Sequence, residues 1–158
     1  MNKAITFEEL LNRDGYLAFT NKGVSMMPLL RQDQDIMLIE KKGSNRCKKM
    51  DAVLFRRPGG SGTGAYVMHR ILRVNPDGTY WIVGDNCISG ETVAEENVLG
   101  ILTGIVRDGK TIPVTDITYR LYVNTWCRFV HLRFAIIRTG RFLGRCLRKL
   151  GLRHSRSC

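Results

Sequence analysis

Three side chains that together can cleave an acyl bond occur in order along the chain. Ser25 sits in Gly23-Val24-Ser25-Met26-Met27-Pro28, a Gly- and Pro-flanked turn just ahead of an apolar run. Such a turn can hold a hydroxyl in the open and aim backbone N–H groups at one point, as an acyl-transfer nucleophile and its oxyanion hole require. His69 follows inside Val67-Met68-His69-Arg70-Ile71. An imidazole with an ordinary pKa of about 6.5 is suited to accept a serine proton near neutral pH. Asp85 stands in Gly84-Asp85-Asn86, after another apolar run. Taken singly, these are a turn serine, a core histidine and a β-turn aspartate. Taken in order, they form a candidate Ser/His/acid set.

The surrounding pattern supplies the elements that position them. Thr6-Phe7-Glu8-Glu9 reads as a capping box opening a short helix with Leu10 and Leu11 on its apolar face, ended by Gly15. Short strand-like runs follow at 16–20, 35–40, 52–55, 66–74 and 80–83, then a closing hairpin from 99–106 to 111–114 across Arg107-Asp108-Gly109-Lys110. Asn75-Pro76-Asp77-Gly78 marks a tight turn. Many short strands between Gly/Pro turns predict a mainly β, barrel-like body with a short N-terminal helix. Gly59–Gly64 lacks the GK[ST] of a P-loop and reads as a hairpin loop near the site.

From about residue 117 the period becomes helical. Phe129, Leu132, Ile136, Leu143, Leu147 and Leu150 fall on one face, and Arg138, Arg141, Arg145, Arg148 and Lys149 on the other. Arg133 interrupts the apolar row. The chain of 158 residues divides at this point: residues 1–115 form the expected β-rich body and 116–158 a basic amphipathic tail. The net charge of +11 is concentrated in that tail, since residues 117–158 hold 10 Lys and Arg and no acid. A polyanionic partner is implied. The aromatic and aliphatic face, with Trp126, Phe129, Phe134 and Phe142, favours an anionic membrane surface over nucleic acid. A helix packed on the body with its basic face in water is the plainer alternative. Five widely spaced cysteines, with no CxxC pair, argue against a zinc site and for free thiols in a reducing compartment. No metal or cofactor is expected.

The ordered boxes resemble those of the type I signal peptidases and the self-cleaving LexA-type repressors. Residues 23–41 resemble the nucleophile box, 51–55 the next strand, 66–71 the segment carrying the base, 84–86 the GDN box and 98–100 the strand after it. The likeness spans residues 16–106. It implies a serine endopeptidase on a β-rich, barrel-like fold that cuts polypeptides with small residues near the scissile bond. Ser25 maps to the nucleophile. His69 stands where the common bacterial and LexA branches carry Lys, as in the endoplasmic-reticulum and archaeal type. The third member is then an acid: Asp85 maps directly, and Glu91 stands near a second family aspartate. The resemblance also implies that the Ser25 N–H serves the oxyanion. Gly23 offers no hydroxyl where some relatives do.

Two departures shape the expectation. The 24 residues before Ser25 are polar and acidic, not the usual membrane anchor. The expected location is therefore cytoplasmic, with peripheral membrane contact through the tail. A specialised maturation or regulatory protease fits better than general preprotein processing. The rival readings are a LexA-like self-cleaving switch and an inactive fold serving as a basic membrane- or nucleic-acid-binding module.

Overall fold

The computed structural model describes residues 5–57 and 66–149. The Gly59–Gly64 loop and Cys158 lie outside them, as do the side chains of Leu147, Arg148, Lys149 and Leu150. Helix α1 (Phe7–Asp14) begins at the anticipated capping box: Glu9 N–H donates to Thr6 Oγ1, and Thr6 N–H donates to Glu9 Oε2. It ends at Gly15, whose φ of 78° places it in the left-handed region that glycine tolerates. Eight strands follow: β1 (Tyr16–Thr20), β2 (Ile36–Lys41), β3 (Ala52–Arg56), β4 (Tyr66–Val74), β5 (Tyr80–Val83), β6 (Gly90–Val93), β7 (Val98–Arg107) and β8 (Lys110–Pro113). Helix α2 (Ile117–Tyr122), a π-helical turn (Val123–Cys127) and helix α3 (Val130–Lys149) complete the described chain.

All pairings are antiparallel, in the order β1-β2-β7-β3-β4-β5-β6, with β8 paired to β7. The sheet is open between β1 and β6 rather than a closed barrel. Strand β7 joins its two halves by pairing with β2 along Gly100–Val106 and with β3 along Val98–Ile101.

Strand β3 is buried on both faces and separates two cores. Side chains alternate across a strand, so Ala52 and Leu54 enter one core and Val53 and Phe55 the other. The first core gathers Leu11, Leu17, Met26, Leu30, Met37, Leu102 and Tyr119 beneath α1, the Ser25 turn and α2. The second is built from Ile71, Tyr80, Ile82, Val93 and Val98. Thus Met26, next to Ser25, is a core side chain, while Met27 is exposed.

The tail is integral to this body. Tyr119 is buried in the first core, and Cys127, Arg133 and Ile137 are buried beyond it. The apolar row of α3 points the other way: Phe129, Leu132, Ile136 and Leu143 are exposed. Packing of that row on the body, the plainer sequence reading, is therefore corrected. The inward face is set by Arg133, which meets a carboxylate.

Candidate active site

Ser25 is held on a clamped turn. Upstream, Asn21 Nδ2 donates to the Gly23 carbonyl at 2.7 Å. Downstream, Met27 N–H donates to Val24 O and Leu30 N–H to Met26 O, while Met26 anchors the turn in the core. Buried Asp35 closes the segment. It accepts from Arg31 N at 2.8 Å and from Arg107 Nη2 at 2.6 Å, and Arg107 also donates to Leu29 O. Burial opposes the Asp35 charge, but these donors outweigh it and hold its pKa at about 2. The Ser25 side chain is half-buried, and among the described residues its Oγ has no hydrogen-bond partner.

His69 is placed by strand register. It pairs with Val53, and Ile71, two residues on, pairs with Ile82, which in turn pairs with Glu91. Val53, Phe55 and Arg57 alternate onto that same face. The ladder therefore collects His69, Glu91 and Arg57 together. Glu91 Oε1 lies 3.7 Å from His69 Nδ1, within ion-pair range and beyond hydrogen-bond range. Nδ1 is buried and has no hydrogen-bond partner among the described residues. Arg57 grips Glu91 through two bonds, Nε to Oε2 at 2.8 Å and Nη2 to Oε1 at 2.5 Å. Burial lowers the His69 pKa below its ordinary value; the Glu91 charge works against this and Arg57 works with it. The ring is thus neutral at pH 7, the form a general base needs.

Each residue of Gly84-Asp85-Asn86 makes a different contact. A Cβ on Gly84 would lie 2.7 Å from Ser25 O, 2.9 Å from Cys87 Sγ and 3.0 Å from His69 Cδ2. The Ser25 backbone and the His69 ring therefore converge on the one residue that has no side chain. Asn86 N–H donates to Ser25 O at 2.7 Å, and its Nδ2 donates to Val24 O at 3.2 Å. Asp85 points elsewhere. It is fully buried and accepts from Arg70 Nε at 2.9 Å, Arg70 Nη2 at 2.8 Å and Tyr122 Oη at 3.0 Å. Arg133 Nη1 lies 3.4 Å away. The expected orientation of His69 by Asp85 is thus not what the geometry gives. Arg70 follows His69 on β4 and so projects to the opposite face, and the Asp85 carboxylate goes with it. Of the two candidate acids, Glu91 is the one facing His69.

The tail grips this loop. Trp126 Nε1 donates to Asp85 O at 3.2 Å, and Arg141 Nη2 donates to Asn86 O at 2.8 Å. The Tyr122 hydroxyl stays protonated, its pKa pushed up by burial and by Asp85. Burial pushes the Cys127 thiol to about 12, which leaves it inert as a nucleophile. Arg57, Arg70 and the tail residues were not singled out as site residues from the sequence. The one available signal was Arg133, the charge that breaks an apolar row.

An open groove of about 430 Å³ runs beside Ser25, with Phe19, Met37, Leu54, Tyr66 and Met68 among its walls. A cleft of about 570 Å³ lined by α1, Lys41, Lys42, Glu95 and Glu96 offers no nucleophile and base together. No family model, curated protein or solved structure matches the chain.

Proposed function

We propose that the protein is a serine endopeptidase acting on a polypeptide. The observation that carries this reading is the meeting of the Ser25 turn and the His69 ring at Gly84, with Glu91 and Arg57 behind the ring. Ser25 Oγ attacks the scissile carbonyl and His69 takes its proton. The Ser25 N–H, on a turn fixed by Asn86, is the expected donor to the developing oxyanion. Glu91 steadies the imidazolium that forms, and Arg57 fixes Glu91. His69 then gives the proton to the departing amine, and water releases the acyl group from Ser25.

The groove favours an extended chain as substrate. Residues 66–69 pair with β3 on one side, whereas β5 joins β4 only from Arg70 onward. Among the described residues, their other edge is unpaired, as is the outer edge of β1. Tyr66–Met68 line the same groove as Phe19, Asn21, Lys22 and Gly23, so a polypeptide entering it can add backbone hydrogen bonds to a free strand edge.

The test is cleavage of a panel of signal-peptide-like substrates by wild type and Ser25→Ala. The expected result is cleavage that falls by at least about a thousandfold in the variant at unchanged thermal stability. Equal cleavage by both proteins would remove Ser25 as the nucleophile.

A further inference from the structure

We infer that the outward face of α3 docks in the interface of an anionic bilayer. The helix has three sectors. Its inward sector is fixed: Arg133 and Ile137 are buried, and Arg141 is bonded to Asn86. Phe129 lies just ahead of the helix, and at about 100° per residue Leu132, Ile136 and Leu143 lie within about 40° of one another and about 60–100° from Arg133. Their exposures are 58, 60, 48 and 53 %. A pinned helix cannot roll to bury them against its own body, so four turns of apolar surface stay open to an outside partner.

Charge identifies that partner. Exposed Phe142 widens the apolar row on the side away from Arg133, and exposed Arg138 and Arg145 lie about 40–60° beyond Phe142. No Asp or Glu occurs after Asp116. Pairing with a second copy through this face would set arginines against arginines with no acid to relieve them. Nucleic acid would satisfy the arginines but leave the Phe and Leu side chains without apolar cover. A bilayer rich in anionic lipid offers both at once: acyl chains for the row and headgroup phosphates for the arginines. No described helix is long and apolar enough to cross a membrane, so the contact is with the surface.

Flotation of the full chain tests this directly, and using Ser25→Ala keeps it independent of catalysis. The probes are vesicles of phosphatidylcholine with phosphatidylglycerol, and of phosphatidylcholine alone. Binding is expected to the first, to weaken as salt rises, and to fall at least about tenfold in Leu132→Asp/Ile136→Asp and in Arg138→Glu/Arg145→Glu. Because all four positions are exposed, the variants should melt with the wild type. Absence of wild-type flotation, or equal flotation by the variants, would overturn the inference. So would a wild-type dimer that Leu132→Asp/Ile136→Asp dissociates, since the face would then belong to a second copy. Failure of the cleavage test leaves this result intact, and the reverse also holds.

Discussion

Two carboxylates competed for one role, and side-chain direction separates them. Glu91 faces His69 and is exposed enough to be replaced without opening the core. Asp85 is enclosed with two guanidinium groups. Glu91→Gln is therefore expected to act on catalysis, and Asp85→Asn on folding. Loss of the Glu91 charge removes support for the imidazolium. The plateau kcat/KM should fall on the order of a hundredfold. Because Glu91 raises the His69 pKa and burial lowers it, the acid limb should move to still lower pH in Glu91→Gln. Arg57→Gln should move it up, since Arg57 works with burial. A kcat/KM profile against pH decides this, and an unmoved limb in both variants would remove Glu91 from the site. The same depression bears on stability. His69 binds its proton more readily unfolded, so its contribution is present above about pH 6.5 and is lost as pH falls through the lower folded value. Asp85→Asn instead strands Arg70 and Arg133 without a charge partner. It should cost about 3–5 kcal/mol, read as a lower urea midpoint at unchanged m.

At the scale of elements, most strands were legible because their apolar runs sit between strong turn signals. β6 was not. Gly90-Glu91-Thr92-Val93 has no apolar run, and it is a strand because β5 offers it a free edge. That omission hid the partner of His69, whose place depends on the Ile71–Ile82–Glu91 ladder rather than on spacing in sequence. The helix α3 was legible as a helix but not in its orientation. Periodicity assumes that the interior wants apolar side chains, whereas here it presents the Asp85 carboxylate and takes Arg133. Among the described residues that arginine is poorly served: Nε and Nη2 are buried without partners, and Nη1 makes only a long contact. Arg70, by contrast, makes paired bonds to Asp85 and donates to Met50 O. Arg133→Met should therefore be neutral or stabilising by about 1–2 kcal/mol, while Arg70→Met should cost about 3–5 kcal/mol. Urea denaturation of the two variants distinguishes them. Equal losses would mean that Arg133 carries as much of the Asp85 charge as Arg70 does.

At the scale of the molecule, the compositional break near residue 116 and the structural one do not coincide. The sequence changes there from near-neutral to strongly basic, and the strands stop. The core continues: Tyr119 is packed beneath β3 and β7, Tyr122 and Trp126 cover Asp85, and Arg141 holds the carbonyl of Asn86. Asn86 in turn holds Ser25, so the tail is two hydrogen bonds away from the proposed nucleophile. A chain of residues 1–115 keeps Ser25, His69, Glu91 and Arg57 but opens the Arg70–Asp85 pair to water and leaves part of the first core uncovered. It should be less stable than the full chain by several kcal/mol, on the order of the loss of a buried ionic network plus one aromatic side chain. Cleavage should fall with it even in the absence of lipid, because the Asn86 clamp loses its outer support. A chain ending at Lys149 retains every described contact and should melt and cleave as the full protein does. Thermal melts and cleavage of the three lengths provide the check. If residues 1–115 melted at the same temperature and cleaved at the same rate as the full chain, the tail would be an appendage and its grip on the catalytic turn would be without consequence.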